Sequence, residues 1–272
     1  MALGLAMQTE HGLSARRADR VLELSRSARH YQPRVRDDGP LIEAIEAGLQ
    51  ANPGYGFGLL FGEFLRPRGW GKTRCRRVYL GLGKNLKRRG KQRLPERVRD
   101  PLEIPPHANH TWSADFMADA LWSGRRLRTF NVNDDFNRES LRIEIDTSLP
   151  SRRVVRALDE LVELRGAPRR LRLDNGPEFI SAELRRWAER QGVEIVHIQP
   201  GKPTQNALIE RFNRTYRTEV LNRYVFTSLA EVRRMTEDWR HRYNHHRPHS
   251  ALGGLPPVRY AMAQSHSTST FT

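Results

Sequence analysis

From residue 111 onward the apolar positions change period in a regular order. Runs at 111–118, 126–133, 141–146, 170–173 and 193–198 are short and rich in strand-forming residues. Helical spacing appears at 153–165, where Val154, Val155, Leu158, Leu161 and Val162 line one side, and at 181–191. It returns at 205–220 with Ile209, Phe212, Tyr216 and Val220, and at 228–243 with Val232, Met235 and Trp239. Three strands followed by alternating helices and strands predict an α/β layout on a mixed sheet. Upstream, Leu41, Ile45 and Leu49 mark an amphipathic helix that Asn52-Pro53-Gly54 stops. A second helix-like run begins at Tyr55, closes near 66–69, and is followed by a basic helix near 73–82. That order predicts a helix-turn-helix-like region. Residues 14–30 read as a short Arg-rich helix with Val21, Leu22 and Leu24 as its apolar stripe, and 33–40 as a charged linker. The expected division is therefore an N-terminal segment (1–40), a basic region (41–100), a core with a helical extension (106–262) and a disordered Ser/Thr-rich tail (263–272).

Charge sharpens this picture. The 272 residues carry a formal net charge of +16, with pI ≈ 10.9. Residues 66–99 hold 14 Lys or Arg and one acid, Glu96. Such a balance favours a polyanion, because Lys and Arg contacts to phosphates release counterions. Arg74, Arg76, Arg77, Lys84, Lys87, Arg88 and Arg89 are the candidate nucleic-acid contacts there, while 84–99 reads equally as a disordered basic linker or a folded arm. The single cysteine, Cys75, excludes an internal disulfide framework and fits a reducing compartment, so a cytoplasmic location is expected. No apolar run approaches a membrane span, and residues 1–8 lack the pattern of a signal peptide.

The candidate chemistry rests on three acids. Asp115 stands amid strand-forming residues, where an unpaired carboxylate is costly to bury. Asp174 ends a short strand just before an Asn-Gly-Pro turn. Glu210 lies off the apolar face of a helix, and 35 residues separate it from Asp174. Carboxylates from two strands and a helix suit hard divalent cations, Mg²⁺ or Mn²⁺. Lys202, Asn206, Asn213 and Arg214 surround Glu210 in sequence and are further candidate DNA contacts. Asp134 and Asp135 follow the second strand and are expected to be solvated turn acids; Asp119 and Glu178 are secondary candidates for the metal. Gly71-Lys72-Thr73 is no phosphate loop, since Arg66 stands where its first glycine is required. His241, His245, His246 and His249 cluster without a nearby cysteine, which favours a packing and DNA-contacting element over a zinc site.

These residues carry a resemblance. Asp115, Asp174 and Glu210 look like the DDE triad of retroviral-type integrases and transposases. "GKPTQNALIERFNRTYRTEVLN", "RLDNGPEF" and "YNHHRPHSALGGLPPVRY" resemble the second open-reading-frame product (OrfB) of the IS3 family of bacterial insertion sequences. The resemblance covers about residues 40–262. It implies a ribonuclease-H-like core preceded by a helix-turn-helix-like region, with Asp115, Asp174 and Glu210 holding two Mg²⁺ or Mn²⁺ ions. It further implies cleavage and joining of insertion-sequence ends to target DNA, through a circular intermediate. An upstream OrfA-type partner or frameshift fusion is implied, as is a homo-multimer on DNA. One departure stands out: the family writes arginines after the Tyr-Gly-aromatic word, where this chain has Gly58, Leu59 and Leu60. Two rival readings are a DNA-binding regulator without catalysis, which has no need of all three acids, and a ribonuclease-H-type nuclease without joining. A paired-carboxylate glycosidase fits the acids but not the charge.

Overall fold

The computed structural model describes residues 2–25, 37–86, 104–176, 178–199 and 206–268. It falls into two compact units, Met1–Glu43 and Ala44–Thr272. In the first, helices α1 (Ala2–Thr9) and α2 (Ala15–Val21) are followed by the start of α3 (Gly39–Ala51). Among the described residues the Arg-rich helix expected over 14–30 is α2, and Glu23 takes a left-handed φ of 53° just beyond its end; residues 26–36 lie outside the described residues.

The second unit holds the rest of α3 and then a helix-turn-helix-like pair. Helix α4 (Phe57–Leu60) continues through a π turn (Phe61–Leu65) and a 3-10 turn (Arg66–Arg68). Gly69, at φ 79°, turns the chain in a conformation few side chains tolerate, and α5 (Lys72–Gly81) follows. Cys75, Val78 and Tyr79 are the buried stripe of α5; Arg74, Arg76, Arg77 and Lys84 are exposed. Leu60 is fully buried and serves as packing, not as a DNA contact. Lys87, Arg88 and Arg89 lie outside the described residues.

The core is a five-stranded mixed sheet of order β3-β2-β1-β4-β5, built from β1 (Thr111–Ala120), β2 (Arg126–Asp134), β3 (Ser140–Asp146), β4 (Arg170–Leu173) and β5 (Glu194–His197). β1 runs antiparallel to β2 and parallel to β4. Alternation along β1 sends Trp112 and Ala114 to one face, where they join Val132, Leu171 and the buried sides of α6 (Ser151–Arg165) and α7 (Ala182–Gln191). The other face carries Met117 and Ile145 against α8 (Ala207–Tyr216, prolonged by a π turn over Arg217–Leu221) and α9 (Leu229–His245). The sheet is thus covered on both sides, the arrangement that a mixed sheet with crossover helices requires. Ile209, Phe212, Tyr216 and Val220 are all buried, as the helical spacing predicts.

α9 starts at a capping box: Ser228 accepts from the Glu231 N–H (3.2 Å) and Glu231 accepts from the Thr227 N–H (2.9 Å). The C-terminal stretch needs a correction. Helix α10 spans Pro257–Thr268, so residues 263–268 of the expected disordered tail are helical. Pro257 supplies a good first helical position, and Ala261, Met262, Ala263 and Gln264 carry the turns onward into the Ser/Thr run.

The helix-turn-helix-like pair is clasped to the core. The Tyr55 hydroxyl donates to Glu63 Oε2 (2.8 Å), and Arg242 of α9 donates to the Tyr55 hydroxyl (2.9 Å) while pairing with Glu63 Oε1 (3.3 Å). Gly62 lies so close to Pro248 that a Cβ there would stand 2.7 Å from the proline Cγ.

Candidate active site

Register alone brings two of the three acids together. β1 and β4 pair Ser113 with Arg172, and continuing that parallel ladder by two residues sets Asp115 level with Asp174, where β4 ends. Both lie on the sheet face that α8 covers. The Asp174 carboxylate accepts the Gly176 N–H (2.9 Å), so the turn after β4 ties the side chain down. Asp115 accepts the Phe116 N–H (2.8 Å) on one oxygen and the Asn213 amide (2.8 Å) on the other.

Asn213 also fixes the third acid. Directly opposite Asp115 in β2 is Asn131, whose amide donates to Asn213 Oδ1 (2.7 Å). Asn213 therefore bridges two neighbouring strands and locks the rotation of α8 about its axis. Glu210, one turn earlier, is exposed at the sheet. The electrostatics register the convergence. Burial pushes the Asp115 carboxyl up to about 6, the negative charges of Asp174 and Glu210 push in the same direction, and the Phe116 and Asn213 hydrogen bonds oppose them. None of the three acids has an Arg or Lys ion pair among the described residues. Nor, among those residues, do three His, Cys, Asp or Glu side chains draw close enough to hold one metal ion.

The neighbouring acids differ in just this respect. Asp134 and Asp135 are not solvated turn acids: they are 2% and 1% exposed. Asp134 accepts the Asn109 and Phe136 N–H groups (2.6 and 2.9 Å), and burial nevertheless raises its carboxyl to about 6. Asp135 accepts from the Ser113 hydroxyl and the Arg172 guanidinium, both at 2.7 Å. Arg172 reaches it from β4, so an ion pair beneath the sheet face joins the strand carrying Asp174 to the end of β2. Glu178 pairs with Arg128, whose guanidinium lies 4.4 Å from the Phe116 ring centre, and Asp119 pairs with Arg217 (3.3 Å). Asp119, Asp135 and Glu178 each have an arginine partner and Asp134 has two backbone N–H groups; among the described residues the central three have no such cation.

Among the other candidates, Asn213 is buried and its amide is engaged with Asp115, so it is a positioning residue and not a free DNA contact. Asn206 is buried at the start of α8, whereas Arg214 is exposed. Lys202 lies outside the described residues. In the histidine cluster His241 stacks on His245 (4.5 Å between ring centres), and His249 stands edge-on to Tyr243 (4.7 Å). Asn131, Ser113 and Arg172 escaped the sequence reading. Asn131, between Phe130 and Val132, is like Asp115 a polar residue within a strand, and that placement is its signal.

Comparison with known proteins decides the family. The integrase core domain matches residues 105–203 and again residues 191–257. The chain is 39% identical over 259 residues to the insertion element IS407 uncharacterized 31.7 kDa protein of Burkholderia multivorans, covering 94% of this chain and 93% of that one. It is 40% identical over 255 residues to the insertion element IS476 uncharacterized 39.2 kDa protein of Xanthomonas euvesicatoria, covering 92% and 72%. The chain belongs to the insertion-sequence transposases built on an integrase core. This transposase is an enzyme of DNA transposition and integration. Its fold is that of the ribonuclease-H-like integrases: it superposes on a chain of the simian T-cell lymphotropic virus intasome bound to PP2A regulatory subunit B56 gamma with a TM-score of 0.53. That likeness covers 79% of this chain and 73% of the other at 16% identity.

Proposed function

We propose that this transposase is of the IS3 OrfB type and that Asp115, Asp174 and Glu210 are its catalytic acids, cutting insertion-sequence ends and joining them to target DNA. One observation carries the reading. In a chain of net charge +16, Asp174 and Glu210 lie near enough for their charges to act on Asp115, and none of the three has an ion-pair partner among the described residues, while Asp119, Asp135 and Glu178 are each matched by an arginine. Uncompensated negative charge of this kind is a site for a cation.

By donor chemistry the set suits Mg²⁺ or Mn²⁺, because all three side chains offer hard carboxylate oxygens; burial first, and then the charges of Asp174 and Glu210, raise the proton affinity of Asp115. A pair of such ions, when bound, supplies charge neutralisation for the attacking and leaving oxygens of an in-line displacement. The remaining work belongs to the chain. Asn213 holds Asp115 in place, the Gly176 N–H holds Asp174, and the Asn213–Asn131 bond sets the angle at which α8 presents Glu210. The exposed arginines of α5 hold DNA by its phosphates. Water breaks the phosphodiester bond at the end, leaving a 3′-hydroxyl that attacks the second phosphodiester; no covalent protein intermediate is needed. The reading includes an OrfA-type partner, a multimer on DNA, and a place beside the chromosome. Among the described residues no helix is long and apolar enough to cross a membrane.

The test is single-strand cleavage of an end-bearing duplex at equal DNA occupancy. Asp115→Asn, Asp174→Asn and Glu210→Gln each keep side-chain size and are expected to abolish cleavage with binding near normal. Asp119→Asn and Glu178→Gln are expected to retain it. Ca²⁺ should support binding with little cleavage, since it prefers more ligands and looser geometry. Wild-type cleavage by Asp174→Asn, or cleavage in chelator, would sink the proposal.

A further inference from the structure

A cleft flanks α8 along Leu208, Arg211 and Thr215. It encloses about 700 Å³, within the range of pockets that take a small ligand or a nucleotide. Phe212 and Tyr243 line it, and Arg138 and Arg211 contribute its cationic groups. Arg211 is exposed, one residue on from Glu210, so the two side chains project about 100° apart around the helix. Arg211 has no ion-pair partner among the described residues. Arg138 sits at a left-handed φ of 63° in the turn between β2 and β3, with one guanidinium nitrogen on the Asp135 carbonyl (2.7 Å) and no carboxylate partner among the described residues. Of the two acids in this wall, Asp135 offsets part of the Arg138 charge, but its carboxylate oxygens are engaged by Arg172 and Ser113, and those of Asp134 by two backbone N–H groups.

Two polar atoms of the same cleft are buried and without a partner among the described residues, Asn133 Oδ1 and His249 Nε2. Burial pulls the His249 imidazole down to about 3, so it is neutral at physiological pH. Its unpartnered nitrogen can accept a hydrogen bond. Two guanidiniums with a neutral imidazole and an amide oxygen match one phosphate and the polar edge of the nucleotide beside it.

We propose that this cleft is a second DNA-backbone subsite, in which Arg138 and Arg211 hold one phosphate of the strand that crosses α8 beyond the three catalytic acids. The proposal rests on the transposase reading, and it adds a contact that the basic helix α5 does not supply. It also gives α8 two jobs on adjoining faces: Glu210 toward the reacting phosphate, Arg211 toward the backbone that fixes the register of the strand.

The experiment measures DNA affinity against salt for Arg211→Gln, Arg138→Gln and the double variant, with the exposed pair Arg185→Gln/Arg190→Gln on α7 as the charge control. Arg211 is exposed, so its variant remains informative should Arg138→Gln fold poorly. The expected result is an affinity loss of about tenfold and a salt slope lower by about 0.9, the share of one phosphate. The α7 control should show neither. A duplex with one neutral methylphosphonate linkage at the proposed phosphate should show the same loss with the wild type and none further with Arg211→Gln. Additive losses at every linkage position, or wild-type affinity and slope in Arg211→Gln, would overturn the subsite. Inorganic phosphate titrated at fixed ionic strength separates the sources. If it binds the wild type saturably, binds Arg211→Gln poorly, and DNA affinity is the same in both, the cleft serves free phosphate and the proposal is wrong. Because all readouts are of binding, they can be repeated in the Asp115→Asn background, and failure of the catalytic assignment leaves them interpretable.

Discussion

Replacing Arg172 by Met should damage this protein more than its distance from the reacting groups suggests. The Asp135 side chain is fully buried and that of Arg172 is 14% exposed, so the pair lies almost wholly out of water. Removing the guanidinium leaves a buried carboxylate with only the Ser113 hydroxyl, a loss of about 3–5 kcal/mol. Against a typical total of about 5–15 kcal/mol that is a large fraction of the stability. Adding Asp135→Asn removes the orphaned charge and should recover most of the loss, so the two changes will not be additive. The pH dependence follows from the same balance. Burial already raises the Asp135 carboxyl, and the Arg172 charge is the largest restraint on it, ahead of the Ser113 hydrogen bond and the Arg138 charge. Without Arg172 the folded state holds that proton to higher pH than the unfolded state does. The variant should therefore regain stability as pH falls and lose it as pH rises through the folded value. Urea unfolding of the wild type, both single variants and the double variant, at pH 5 and pH 8, checks each step. Cleavage by Arg172→Met should fall as well, since Asp174 leaves the same strand two residues later. A deficit below about 1 kcal/mol, or one that is the same at both pH values, would mean the pair is as weak as a surface contact and the reasoning is wrong.

Other outcomes follow from other parts of the molecule. Asp134 titrates at about 6 in the folded protein, against 3.8 ordinarily, so the wild type gains stability as pH falls from about 6 to about 4, by up to about 3 kcal/mol. Asp134→Asn lacks this gain, and its stability deficit should widen over that window in a denaturant titration series. Substituting Arg74, Arg76 and Arg77 together by Gln should weaken binding to all DNA sequences and flatten the salt dependence; a loss confined to one sequence would make these residues base readers. Gly62→Val places a Cβ 2.7 Å from Pro248 and should cost about 1–3 kcal/mol in unfolding experiments.

The elements of the core were legible because helix and strand periods are local: β4 and the apolar face of α8 need only a dozen neighbouring residues to be seen. The three acids were legible as words and spacing. Their mutual geometry was not, since it depends on which residues face one another across strands. Nothing local says that Asn131 lies opposite Asp115, or that Asn213, 98 positions from Asp115, joins them. The reading of Asp134 and Asp135 as solvated failed for the same reason: a turn is exposed on average, but here Arg172 and Ser113 arrive from two other strands. The Ser/Thr-rich tail misled in the opposite direction, because composition suggested disorder where Pro257 and the residues after it could already start a helix.

The clasp of Tyr55, Glu63 and Arg242 makes the protein a ruler. On the proposed reading, with α5 on DNA and its helical pair tied to α9, the span from the sequence that is held to the bond that is cut is set by these contacts and not by the length of the chain between 86 and 104. Residues inserted within that stretch should leave the cut at the same nucleotide, and a chain nicked there should stay in one piece. Loosening the clasp, for instance by Glu63→Gln, should instead scatter the cuts over neighbouring positions while each single cut proceeds as before.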